Sequence, residues 1–182
     1  FATDDYEEDY TLNRFFATSE IDTLIDTVES RYTTFARGDT SDQSLRASRK
    51  HRAFGGFSMG ATTTWDVFAL RPQYFYGYMP MAGESWIGRE EDADSPRIAE
   101  LVTAGVTRAH YGPRDFLILA SVGSEDPALW DMTPQIDELR EDYPDVMTED
   151  SLQLWIDDGE THSMTSIANQ VEHNLPLLFP GK

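Results

Sequence analysis

Cysteine is absent from this chain. No disulfide can staple it, and no Cys-x-x-Cys pair can hold a metal. Lysine is nearly absent as well: only Lys50 and Lys182 among 14 basic residues, against 33 Asp and Glu, for a formal net charge of −19. So acidic a surface repels phosphate backbones and anionic lipid, which excludes nucleic acid and membrane partners and suits a neutral substrate. No apolar run approaches the roughly 20 residues of a membrane span, and no signal peptide is visible. The chain opens on Phe1 and not Met, which reads as a processed chain or a fragment. It reads as soluble, and cysteine usage leaves the compartment open, secreted or cytoplasmic. There is no phosphate loop, zinc helix, basic stripe, internal repeat or low-complexity tract, so no cofactor or metal is expected. The cluster Glu90-Glu91-Asp92-Asp94 reads as a solvated acidic loop and not as a cation site.

What is present is enough for one domain with a real core, 182 residues of which 40% are hydrophobic. Four apolar runs have strand character: 52–57, 75–81, 116–122 and 152–156. Helical patterns separate or flank them at 62–70, 95–104, 134–141 and 163–178. This alternation predicts an α/β domain with a parallel sheet, each strand buried on both faces. Upstream, Ile21, Leu24, Ile25, Val28 and Tyr32 form one apolar stripe of a helix over 19–32, with Ser19 as its N-cap. Residues 1–10 read as a solvated acidic segment, and residues 33–50 as a long polar loop.

The stretch His51-Arg52-Ala53-Phe54-Gly55-Gly56-Phe57-Ser58-Met59-Gly60-Ala61 contains Gly56-x-Ser58-x-Gly60 between a strand and a helix, the pattern of a nucleophile elbow. Small residues at 56 and 60 are expected, because side chains there would collide across the turn. Ser58 would stand at a helix N-terminus, where free N–H groups and the helix dipole favour developing negative charge. Together with Pro72-Gln73-Tyr74-Phe75 and Met79-Pro80-Met81-Ala82-Gly83, this stretch resembles the esterase D-like α/β-hydrolases. Within them it is most similar to the feruloyl and acetyl-xylan esterases of carbohydrate esterase family 1, and the likeness runs from about residue 20 to the C-terminus.

A serine hydroxyl needs a base, and the base needs an orienting acid. In a parallel sheet these groups belong just beyond the carboxyl ends of strands that follow the elbow, in the order Ser, acid, His. His51 and His110 precede strands, and His173 lies inside the last helix. His162, in the loop after the run 152–156, has the required place. The acid belongs after 116–122, where Glu125 and Asp126 both qualify. The resemblance selects Asp126, as the Asp of a Gly-x-x-Asp that begins at Gly123, and implies the same role for His162. Asp157 and Asp158 read as turn residues.

The N–H of Met59 is expected to supply half of an oxyanion hole. The other half should come from a Gly-rich loop after an earlier strand, and no such segment lies upstream of Ser58. The chain therefore reads as the C-terminal portion, 1–182, of one catalytic domain. Its N-terminal strands and one oxyanion loop are expected in a preceding segment or a second chain. Trp86 is a candidate to line an acyl pocket or stack on sugar, and Tyr6 or Tyr10 to touch substrate. The resemblance implies a serine ester hydrolase acting on feruloyl esters of plant polysaccharide. An acetyl-xylan, small acyl or thioester esterase is the next reading, and a binding module that has lost activity the third.

Overall fold

The computed structural model of the protein describes residues 6–89 and 92–179, and of residues 6–8 the backbone alone. The four apolar runs become β1 (Ala53–Phe57), β2 (Gly77–Met81), β3 (Leu117–Gly123) and β4 (Leu152–Asp157). All pairs are parallel, in the order β1-β2-β3-β4, with Phe57 opposite Met81 and Ser121 opposite both Met81 and Trp155. The α-helices among the described residues are α1 (Tyr6–Phe15), α2 (Ile21–Arg31), α3 (Asp42–Ala47), α4 (Met59–Leu70), α5 (Ser95–Arg108), α6 (Leu129–Asp142) and α7 (Met164–Leu178). Parallel neighbours require a crossover, and α4, α5 and α6 provide one between each successive pair of strands.

Side-chain alternation along the strands sorts the core into two faces. Tyr78, Ile118, Ala120 and Val122 join Trp65 and Phe68 of α4 and Ile136 and Leu139 of α6 in the main cluster. Met79, Met81 and Leu119 meet Leu178 of α7 on the other face. On that second face a buried polar chain ties α7 to the middle of the sheet. Asn174 donates to the Ser121 hydroxyl (2.9 Å), which donates to Gln170 Oε1 (2.8 Å), whose amide donates to Ser166 Oγ (2.8 Å). Since α7 begins directly after the loop that carries His162, this network helps to set where that loop lies. On the first face α5 crosses close over α4 at Gly105. A Cβ there would lie 2.3 Å from the Ala69 carbonyl oxygen, which explains the glycine.

Several expectations are corrected. Burial of every strand on both faces holds for β2 and for most of β3. In β1, Gly55 is exposed and no residue is fully buried, and in β4 Gln153 and Ile156 are exposed. The reason is position: among the described residues β1 and β4 are the sheet's two edges. The helix over 19–32 has no N-cap at Ser19, because α1 runs through a π-helical turn (Phe16–Glu20) into α2. Its buried face is Ala17, Ile21, Ile25 and Glu29, while Leu24, Val28 and Tyr32 are exposed. Glu29 buries because Arg52 pairs with it at 2.7 Å; the pattern of apolar residues alone could not anticipate that ion pair. Tyr10 lies inside the protein and accepts a hydrogen bond from Arg14, so it is not part of a solvated segment; the side chain of Tyr6 lies outside the described residues. The polar stretch 33–50 contains α3, capped by Ser41. The helix expected at 134–141 begins at Leu129 and carries Pro134 within it. Of the acidic cluster at 90–94, Glu90 and Glu91 lie outside the described residues, and Asp94 caps α5 by accepting the Arg97 N–H.

One side chain of α4 runs against the logic of the core. Asp66 is 1% exposed, and neither carboxyl oxygen has a partner among the described residues. It borders a cavity of about 160 Å³ whose wall includes Tyr10, Arg14 and Arg108. Burial pushes its carboxyl up to about 7 from the ordinary 3.8, with Arg14 pulling weakly the other way. Between pH 4 and 7 the folded chain therefore holds a proton that the unfolded chain has released, and stability falls as pH rises through this window. At pH 8 the deficit is about 4 kcal/mol, since each tenfold difference in proton affinity between the folded and unfolded chain is worth roughly 1.4 kcal/mol. Asp66→Asn is expected to melt well above the parent at pH 8, with the gap closing toward pH 4. Thermal melts at pH 4, 6 and 8 measure it, and parallel curves for the two proteins would reject it.

Candidate active site

The sharp turn from β1 into α4 is Ser58, with φ 58° and ψ −120°. For a residue with a Cβ this backbone costs about 1–3 kcal/mol. Its neighbours hold it there. The Ser58 N–H donates to the Met81 carbonyl at 2.8 Å, and its carbonyl accepts from Ala61 and Thr62 at 2.8 and 3.3 Å. Met59 is the first residue of α4, so its N–H has no acceptor within the helix. The requirement for small residues turns out to be one-sided. A Cβ on Gly56 would lie 2.5 Å from the Gly60 carbonyl oxygen, whereas a Cβ on Gly60 meets nothing within 4 Å. Gly56 must yield to the backbone of the helix turn, and the side of the turn at Gly60 is open. Gly83 is the second close approach: a Cβ there would lie 2.8 Å from the Ser58 carbonyl oxygen, so the loop after β2 runs directly against the elbow.

The loop after β3 brings Asp126 beneath the loop after β4. Asp126 is fully buried; its Oδ2 lies 2.8 Å from His162 Nδ1, and its Oδ1 accepts the Ala128 N–H at 2.9 Å. Glu125, its neighbour, points to solvent and engages through its backbone, donating its N–H to the Glu160 carbonyl. That bond and the close passage of Glu160 over Gly123, where a Cβ would lie 2.2 Å from the Glu160 carbonyl, lock the two loops together. The His162 ring rests 4.5 Å, centroid to centroid, from that of Phe57, the residue before Ser58. The imidazole is thus oriented by a buried carboxylate and seated at the elbow. His51 is elsewhere, stacked on Phe35, and so is His173, stacked on Trp155.

Trp86 sits in the loop after β2, half-buried. Its Nε1 donates to Glu84 Oε1 at 2.7 Å, and the Arg89 guanidinium covers its ring at 4.5 Å while pairing with the same Glu84 oxygen at 2.6 Å. Phe57, Glu84 and Arg89 are absent from the residues the sequence singles out. The only signal for the last two is the pair of opposite charges flanking a loop tryptophan, a pattern too common in an acidic chain to select anything.

No family model matches the chain. Endo-1,4-beta-xylanase Y of Acetivibrio thermocellus is 32% identical over 160 residues, which are 86% of this chain and 14% of that protein. A solved serine-to-alanine mutant of the feruloyl esterase module from Clostridium thermocellum, complexed with sinapinate, superposes with a TM-score of 0.81 at 30% identity. It aligns with 94% of this chain and 59% of its own length. The chain has the α/β-hydrolase fold and is similar to this feruloyl esterase module. A solved structure of FAE gives the same coverage, with a TM-score of 0.78 and 29% identity. The chain thus spans 59% of the length of the solved modules it matches. Within its sheet, Ser58, Asp126 and His162 follow the carboxyl ends of β1, β3 and β4, the rim where open α/β sheets collect functional groups.

The one-sidedness of the elbow can be measured. Gly56→Ala is expected to lower stability by about 3 kcal/mol, the upper end for overpacking against a neighbour that cannot move. Gly60→Ala is expected to stay within about 1 kcal/mol of the parent. Urea unfolding of both variants decides; equal losses would mean that the turn is crowded from both sides.

Proposed function

We propose that the chain is the C-terminal portion of a serine carboxylic-ester hydrolase that releases feruloyl groups from plant cell-wall polysaccharide. The observation that carries this reading is the 2.8 Å contact of Asp126 with His162, whose ring lies against the residue before Ser58. The likeness to a feruloyl esterase module supports the choice of acyl group. Ser58 attacks the ester carbonyl while His162 takes its proton at Nε2; Asp126 holds Nδ1 and stabilises the imidazolium. The N–H of Met59, at the positive end of α4, stabilises the oxyanion. His162 then gives that proton to the sugar oxygen as its bond to the acyl carbon breaks, so the sugar leaves as a hydroxyl, and a water activated by the same imidazole frees the acid. Trp86, fixed by Glu84 and Arg89, is the aromatic residue proposed to contact the acyl group.

The same reading includes a missing part. Among the described residues β1 pairs only with β2, so the strand that leads to the nucleophile is left with a bare edge, which native sheets cover or blunt. The open side of the turn at Gly60 is consistent with that. A further strand from a preceding segment or a second chain is proposed to pair with β1 and to bring the second oxyanion donor.

A fluorophosphonate probe is expected to label the parent at Ser58. Ser58→Ala and His162→Ala should each lower kcat on methyl ferulate by at least ~10⁴-fold with the fold intact. His51→Ala and His173→Ala should not. Retained turnover in Ser58→Ala, or no labelling of an otherwise folded parent, would remove the esterase reading in favour of an inactive binding module. The acid is tested separately. Asp126→Asn should cost about 10⁴-fold, while Glu125→Gln stays near the parent; the reverse order would assign the acid to Glu125.

A further inference from the structure

Trp130 is the most exposed large apolar side chain among the described residues, at 80%. In a chain this acidic, a tryptophan presented to water on the first turn of α6 has no packing reason to be there. It stands four residues beyond Asp126, on the carboxyl-end rim of the sheet. It forms one wall of an open groove of about 240 Å³ between the N-terminal parts of α5 and α6. Glu84 and Arg89 also line it, and Gln135 and Glu138 lie along α6. Glu84 and Arg89 are the same two residues that hold Trp86, so the groove and the Trp86 loop share two side chains.

Each wall is held in place. Gln135 Oε1 accepts the Ser85 N–H at 2.6 Å, which fastens α6 to the loop after β2. Pro134, one turn beyond Trp130, has no N–H to give the Trp130 carbonyl. The groove thus offers a flat aromatic face bordered by hydrogen-bonding groups. Its charges are mostly acidic: Glu84, Asp131 and Glu138 against Arg89. Anionic ligands are disfavoured there. A neutral ring with an apolar C–H face and hydroxyls around its edge is matched on every count. At 240 Å³ the groove is smaller than the roughly 300–1,000 Å³ of sites that enclose a whole drug-sized molecule. It therefore takes about one ring and leaves the rest of a chain in solvent.

We infer that the Trp130 groove is a sugar subsite that binds the carbohydrate part of the ester while the acyl group lies at Trp86. This rests on the esterase reading and adds to it a specificity-determining residue outside the triad.

The test uses the full-length gene product. Trp130→Ala is expected to raise KM for a feruloylated xylo-oligosaccharide about tenfold, the scale of one lost aromatic stack, with kcat little changed. On methyl ferulate, which has no sugar to place, the change should be under twofold, and Trp130→Phe should restore most of the loss. Equal effects on the two esters, or none on either, would overturn the subsite and leave the esterase reading standing. Calorimetric binding of an unesterified xylo-oligosaccharide to Ser58→Ala, with and without Trp130→Ala, reads the groove without turnover. Binding that disappears with the tryptophan supports the subsite. Unchanged binding, or none to Ser58→Ala itself, rejects it. A parent inactive on both esters would instead refute the esterase reading, while this binding measurement still decides the groove.

Discussion

Everything at the candidate site depends on one strained residue. Ser58, at the junction of β1 and α4, holds a positive φ that its side chain disfavours. The strain is sustained from outside: by the Met81 carbonyl on the neighbouring strand, by the first turn of α4, and by a glycine at 56 that admits the helix backbone. In return the turn puts a hydroxyl and the Met59 N–H, which has no acceptor within its helix, at the positive end of that helix, where an oxyanion is favoured. The parallel sheet then delivers the partners. Each crossover returns the chain to the same rim, so the loops after β3 and β4 reach the elbow without further design.

How much of this is legible in the sequence follows from the kind of signal each feature leaves. The strands of a parallel sheet are near-continuous apolar runs, and all four show. The elbow shows because a strained turn demands particular small residues. His162 emerges from topology: of four histidines, it alone lies in the loop directly beyond a strand that comes after the serine. Position alone does not separate Asp126 from Glu125. They differ in three dimensions, where Asp126 is drawn inward by His162 and the Ala128 N–H while Glu125 holds on by its backbone.

What is illegible depends on partners far along the chain. The stripe in α2 has the spacing of a buried face, yet Leu24, Val28 and Tyr32 are exposed and Glu29 is buried, because Arg52 from the approach to β1 supplies its counter-charge. Gly60 has the same claim as Gly56 by spacing, but which side of a turn is crowded is decided by what packs against it. Trp86 stands out as a loop tryptophan, while the Glu84 and Arg89 that fix it do not, since charged residues in a chain with 33 Asp and Glu carry little information. That same charge fits the chemistry proposed: a neutral ester approaches without electrostatic help and is held by aromatic faces.

The central claim is that Ser58 becomes covalently acylated in turnover. The direct measurement is intact-mass and peptide mass spectrometry of the parent protein, acid-quenched within milliseconds of mixing with an activated feruloyl aryl ester. The account predicts a single feruloyl adduct on the peptide that contains Ser58, appearing before steady-state product and absent from Ser58→Ala. Turnover with no adduct, or with the adduct on another residue, would contradict it.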